Sequence, residues 1–476
     1  MSSAIPLVDV SRSPSPYPRS RPGSATQSDD EDDFAVPPSL RPLVHEQGEF
    51  SNRSAWKRVF LDGGFGAFLL STWGGLQFYV AFLVFAVAGC EFALVVLNRL
   101  ILLTGVYKFP YPLTATWIQL VIAHVFFLLA AGLTRLVGKW LVKAGLGAAV
   151  APSRSPSKRP GALQLEANRP LWVRILFYPF LHRFGGIAGG GIFEFDLQIA
   201  RQCLLLAVVF IGKIILSNIS FAYAVLPVYT LSRVGTTPTT LLFTTFLTGT
   251  NHSVPVLSAA LTSTFTLLIA SVRKGSRVTW ESILAGTWST VFVSVYPIIL
   301  MRTVRVLADM RTVPRGSQPP EVLLDIDDPY DEASGRGTPN ATRHAAVAYW
   351  RVVHYVSVIS LAVLTPLVIL SGELGQIQRN CYFLDVPWFW FLTLLGGLSS
   401  FAVFLFYFLL VKATSPLSAN FVSVPRGAFQ LAMLSGKMPA HAWVGVGVCW
   451  ASSVWYALIK RNEARSRGKM RLEAAR

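Results

Sequence analysis

Charge is scarce in this chain of 476 residues. Asp, Glu, Lys and Arg make up 14% of it, against about 25% in ordinary soluble domains. With 52% hydrophobic residues and a positive mean hydropathy, that shortage excludes a soluble globular fold and points to a polytopic membrane protein. Cysteine is scarce too. Cys90, Cys203, Cys381 and Cys449 lie far apart, with no CxxC pair and no histidine cluster, so a redox or metal site has no support. Cys381 has no cysteine partner in its loop and reads as a free thiol. GxSxG, HExxH and Walker patterns are missing, and no carboxylates pair at helix spacing within an apolar run, which leaves no footing for catalysis. His124, His252, His354 and His441 are scattered singles and read as structural. Roughly seventy polar residues precede the first apolar segment, so no N-terminal signal peptide is expected and insertion falls to the first transmembrane helix.

The net charge of +17 would suggest nucleic acid in a soluble protein. Here the basic residues gather in short segments between and after apolar runs, the pattern of cytosolic loops. The expected surroundings are therefore a lipid bilayer, with no nucleic-acid partner. Residues 1–73, rich in Ser, Pro, Arg and Asp, read as a disordered cytosolic tail. Ser28, before Asp29, Asp30 and Glu31, is a candidate target for an acidophilic kinase.

Apolar windows of about twenty residues give about ten spans. They lie near 76–103, 111–135, 199–216, 219–246, 254–272, 280–304, 345–371, 388–411, 416–435 and 442–460. The expected fold is an all-α polytopic membrane protein, its spans forming two inverted five-helix repeats. Residues 74–305 hold the first repeat and the sixth span, with a disordered cytosolic insertion at 144–195. A disordered cytosolic loop covers 306–343, the remaining spans cover 344–461, and a basic cytosolic tail covers 462–476. The basic loops place both termini in the cytosol; only the Arg273–Arg277 cluster falls on the other side. Pro170–Phe184 is amphipathic and cationic and suits the cytosolic leaflet. The glycine-rich stretch 185–191 lacks a preceding strand and reads as a flexible hinge. Asn340-Ala-Thr342 fits the glycosylation pattern, on a side where modification is not expected.

Two intramembrane arginines carry the chemistry. Arg233 lies in PVYTLSRVGTT (227–237) and Arg426 in FVSVPRGA (421–428), each inside an apolar run. An arginine at mid-bilayer costs about 3 kcal/mol on insertion scales, so each should face protein or a water-filled cavity. Two such cations in matching positions of two halves suit a doubly charged anion. The competing account pairs each arginine with a carboxylate, for which Glu91 is the candidate. Pro425 should break its helix beside the site. Lys213 could contact the same ligand or pair with Glu91. Tyr229, Gln430, Thr236, Asn218 and Asn420 are polar groups that could read a base or sugar, or pack between helices. Arg99 reads as snorkelling at a span end, and Trp117, Trp388 and Trp390 as interfacial.

FALVVLNR (92–99), KFPYPLTATWIQL (108–120), VVFIGKIILSNISFAYAVLPVYTLSR (208–233) and ATSPLSANFVSVPRGAFQ (413–430) resemble the triose-phosphate/nucleotide-sugar transporter group of the drug/metabolite transporter superfamily. Within it, the resemblance is closest to GDP-fucose-transporter-like proteins. Thr414, Ser415, Pro416, Leu417, Asn420, Arg426 and Gln430 occupy the places of that group's ninth-helix motif, although Arg426 stands where relatives carry lysine. The resemblance implies a non-enzymatic antiporter of the Golgi or endoplasmic reticulum membrane. It would exchange a nucleotide sugar for a nucleoside monophosphate, need no cofactor, and have a homodimer as a candidate assembly. A sugar-phosphate or phosphoenolpyruvate-type carrier and a non-transporting membrane scaffold are the alternatives.

Overall fold

The computed structural model describes residues 69, 73–102, 109–144, 146–152, 186–190, 195–272, 279–309, 339–380, 386–434, 436 and 438–474, all within the compact unit Ala55–Arg476. Ser28, Pro170–Phe184, the Arg273–Arg277 cluster and Cys381 lie outside the described residues.

Among the described residues, eight helices are long and apolar enough to cross a membrane. In chain order the helices are α1 (Trp73–Leu102), α2 (Pro112–Leu136), α3 (Gly138–Lys143), α4 (Leu197–Ala222), α5 (Leu226–Arg233), α6 (Thr236–Thr248), α7 (Val254–Ser271) and α8 (Trp280–Asp309). The second half continues with α9 (Pro339–Leu370), α10 (Glu373–Asn380), α11 (Pro387–Ala413), α12 (Pro416–Phe421), α13 (Ser423–Leu434) and α14 (Ala440–Ala474). An all-helical polytopic membrane fold follows. Helices satisfy their own backbone groups, which hydrocarbon cannot do.

The segments expected as the fourth and ninth spans are each split in two. A proline explains both breaks. Pro238 cannot donate to the carbonyl four residues back, at Val234, and Pro425 cannot donate to that of Phe421. The chain steps out of helix at Val234–Gly235, between α5 and α6, and at Val422, between α12 and α13. The expected break near Pro425 is present, three residues upstream of that residue. The junction of the third and fourth spans differs from expectation. The helix runs on to Ala222 and stops at Tyr223, because Asn218 and Ser220 find partners across helices instead of turning the chain. Asn218 Nδ2 donates to Thr116 Oγ1 at 2.6 Å, and Ser220 Oγ to the Ser282 carbonyl at 2.9 Å. Both described ends of the 306–343 loop are helical, and the basic C-terminal stretch extends α14 as far as Ala474. Residues 186–190 form a turn with Ile187 fully buried, its carbonyl accepting from Arg135 at 3.3 Å. The expected hinge is thus packed onto α2.

Packing relates the two halves. α4 lies on α8 as α11 lies on α1, α4 on α9 as α11 on α2, and α7 on α14. Exchanging the first five spans for the last five maps this pattern onto itself. Small residues let backbones close in, as expected where lipid supplies no hydrophobic drive. A Cβ on Gly397 of α11 would stand 2.4 Å from Ile122 of α2. At one end of the bundle α10 is clasped to α2. Glu373 accepts at Oε2 from the Thr114 amide at 2.7 Å and its hydroxyl at 2.6 Å, a carboxylate at the positive end of a helix.

A third proline is compensated by a side chain. Pro297 lies inside α8 and leaves the Val293 carbonyl without its helical donor. Asn420 Nδ2 donates to that carbonyl at 3.1 Å and to Thr240 Oγ1 at 2.9 Å, while its Oδ1 accepts from the Tyr407 hydroxyl. Replacing Asn420 with alanine would strip the Val293 carbonyl and the Tyr407 hydroxyl of this partner, while Thr240 keeps its bond to the Thr236 carbonyl. About 1–3 kcal/mol of stability should be lost, read as a lowered melting temperature of the purified protein.

Candidate functional site

The two broken segments meet around a small, partly open cavity, lined from α5 and α6 by Tyr229, Thr230, Arg233 and Thr236 and from α13 by Ser423, Arg426, Gly427 and Gln430. The breaks create it. Arg233 ends α5 and Arg426 falls in the first turn of α13, so one arginine flanks a helix C-terminus and the other a helix N-terminus, where dipoles favour anions.

The two cations have different partners. Arg233 Nη1 donates to Ser217 Oγ at 3.1 Å and to the Tyr229 hydroxyl. Its guanidinium carbon also stands 5.4 Å from the Tyr229 ring centroid. Among the described residues no carboxylate pairs with it. Arg426 forms an ion pair with Glu91 of α1, their side chains 12% and 20% exposed. The carboxylate account of the sequence therefore holds for Arg426. Even so, Arg426 Nε has no hydrogen-bond partner, and the same is true of Nε2 on Gln430, which is 2% exposed. A buried donor left unpaired costs about 1–3 kcal/mol. Both belong to residues lining the cavity.

Of the eight residues named from sequence, five line this cavity: Arg233, Arg426, Tyr229, Thr236 and Gln430. The other three do not. Asn218 and Asn420 join helices, as described above. Lys213 lies between aromatic faces, its Nζ 4.5 Å from the Tyr296 centroid and 4.9 Å from that of Tyr407, with no ion pair to Glu91. Cation–π contact stabilises its charge where no carboxylate among the described residues pairs with it. Arg99 does not snorkel; its Nη1 donates to the Leu434 carbonyl at the end of α13, at 2.9 Å. Trp117 is a bundle residue, donating from Nε1 to Thr365 at 3.0 Å, whereas Trp388 and Trp390 are exposed. His124 and His354 are not scattered. Their rings are 6.2 Å apart across α2 and α9, and His124 Nδ1 bonds Ser357 Oγ at 2.9 Å.

Sequence reasoning missed Ser217, Thr230 and Ser423. Ser217 stands one turn after Lys213 on α4 and so on the same face, which was the available clue. Thr230 and Ser423 carry no distinguishing signal, because threonine and serine are common throughout these spans. Among the described residues no three His, Cys, Asp or Glu side chains group as a metal site.

No family model matches the chain. A protein named GDP-fucose transporter 1 from Dictyostelium discoideum is 23% identical over 375 residues, covering 77% of this chain and 76% of that protein. One of the same name from Monosiga brevicollis is 21% identical over 281 residues, 57% of this chain and 72% of its own length. One from Mus musculus is 29% identical over 232 residues, covering 47% of this chain and 52% of the mouse protein. The chain is thus related to GDP-fucose-transporter-like nucleotide-sugar transporters, in keeping with the motifs on α1, α2, α4, α5, α12 and α13.

Proposed function

We propose that the chain is a nucleotide-sugar antiporter that carries a GDP-fucose-like substrate across a Golgi or endoplasmic reticulum membrane in exchange for a nucleoside monophosphate. One observation carries this reading: two arginines, one from each broken segment, line a single cavity together with unpartnered donors on Arg426 and Gln430. A nucleotide sugar brings two phosphoryl charges and many oxygens. Arg233 and Arg426 would hold the charges through their planar forks, and Gln430, Thr236 and Tyr229 would meet the base or sugar. The two segments belong to opposite halves, so rocking of one half against the other around the ligand would expose the site alternately to cytosol and lumen. Both substrates present phosphate to the same cations, which supports exchange through one site. We place both termini in the cytosol, on the distribution of basic residues.

The test is uptake of labelled GDP-fucose by proteoliposomes holding GMP. Uptake should rise with trapped GMP and be competed by external GMP. Uptake indifferent to trapped GMP would refute exchange. Competition by triose phosphate and not by GMP would refute the nucleotide and favour a sugar-phosphate carrier.

A further inference from the structure

The cavity's two arginines are in unequal electrostatic condition. Arg233 is met by neutral oxygens on Ser217 and Tyr229, whereas Arg426 is already neutralised by Glu91. The pair joins α1 in the first half to α13 in the second. Glu91 occupies the Nη1 edge of the guanidinium, and Nε is without a partner. A carboxylate and a phosphoryl group offer the same thing to that fork, two oxygens sharing a negative charge. They compete for the charge of one guanidinium.

We propose that Glu91 is an internal stand-in for the ligand's second charge: it holds Arg426 while the site is empty and is displaced when a dianionic phosphoryl ligand binds. This deepens the transport reading and rests on it. A neutral nucleoside has nothing with which to displace the carboxylate, and a monoanion can be met by Arg233 alone. A ligand that engages both arginines must supply a second charge in place of Glu91. The residue thereby sets a threshold on ligand charge, and it keeps a buried cation compensated between substrates, when an unpaired charge would be costly. The ion pair also spans the two halves. Its exchange for ligand contacts is a local event able to bias how the halves sit.

The experiment is titration of the full chain in lipid nanodiscs with GMP, cyclic GMP and guanosine, by calorimetry. Glu91→Gln removes the competing charge and keeps the shape. It should tighten GMP binding about tenfold and narrow the preference of GMP over cyclic GMP, while lowering the melting temperature of the empty protein. Glu91→Asp draws the carboxylate back by one methylene and should tighten GMP in the same direction by less; it decides the matter if the glutamine variant does not fold. In an Arg426→Ala background no guanidinium is left to compete for, and the gain from Glu91→Gln should fall well below tenfold, leaving only relief of the carboxylate's direct repulsion of GMP. Wild-type binding of GMP with equal or weaker binding by both Glu91 variants would overturn the proposal and leave the transport reading intact. Failure of wild type and variants alike to bind any nucleotide would overturn that reading, and the proposal with it.

Discussion

Alanine at Arg233 should reduce GDP-fucose exchange in GMP-loaded proteoliposomes by roughly a hundredfold. A hydrogen bond to a charged group contributes about 1.5–3 kcal/mol, and loss of two at one phosphoryl group amounts to about 3 kcal/mol or more, at about 1.4 kcal/mol per decade. Arg233 suffers this loss in full, since among the described residues no carboxylate shares its charge. Arg426→Ala should weaken exchange less, because Glu91 already neutralises that guanidinium in the empty site; the carboxylate left without a cation should also lower the melting temperature. Arg233→Lys should retain part of the rate, with a point charge in place of a fork. Initial uptake rates, normalised to folded protein, decide this. Unmutated rates for both alanine variants would end the two-arginine account.

The second large effect is steric. A Cβ on Gly286 of α8 would stand 2.0 Å from Ser232 Oγ, 2.4 Å from Ser232 Cβ and 2.9 Å from Ser220 Oγ. Ser232 adjoins Arg233, and the Ser232 backbone cannot retreat without moving α5. Gly286→Ala should therefore cost about 1–3 kcal/mol in overpacking and also displace the Arg233 guanidinium, so that exchange falls about tenfold or more, since displacements of about 1 Å are enough to misalign a site. Gly132→Ala is the control, with no atom within 4 Å of its Cβ. A melting curve and an uptake assay on the two variants separate the effects. If Gly286→Ala matches the control in both, the close approach of α5 to α8 does not position the arginine.

Hydropathy marked the long spans well, because a run of about twenty apolar residues has few other uses. It did less well where polar residues sit inside helices. Asn218 fell in the gap between two expected spans and Ser220 near the start of the next, yet each is bonded to a distant helix, Thr116 of α2 and Ser282 of α8. Such partners lie about a hundred or sixty positions away and leave no local pattern. Arg233 and Arg426 were legible as misplaced charges, and Tyr229, Thr236 and Gln430 as their near neighbours on the same segments. Asn420 and Lys213 had similar claims by sequence and lost them through packing: one repairs the gap left by Pro297, the other rests between two tyrosine rings. Glu91 was legible as a rival anion. Only the spatial arrangement could assign it to Arg426 and not to Arg233 or Lys213. The pairing of both breaks with a proline three or four residues downstream was visible in sequence for Pro425 and overlooked for Pro238, which threonines surround.

The two broken segments also bear on biogenesis. Neither is among the eight helices apolar and long enough to cross a bilayer by composition, and each carries an arginine that membrane-insertion scales penalise by about 2.5–3.5 kcal/mol at mid-helix. Released from a ribosome into the translocation channel, such a segment gains little by partitioning into lipid alone. It gains more once α4 presents Ser217 to Arg233, or α1 presents Glu91 to Arg426. The residues that make the cavity thus delay commitment of their own segments to the membrane until the surrounding helices are in place. Site chemistry and the order of membrane integration are set by the same few side chains.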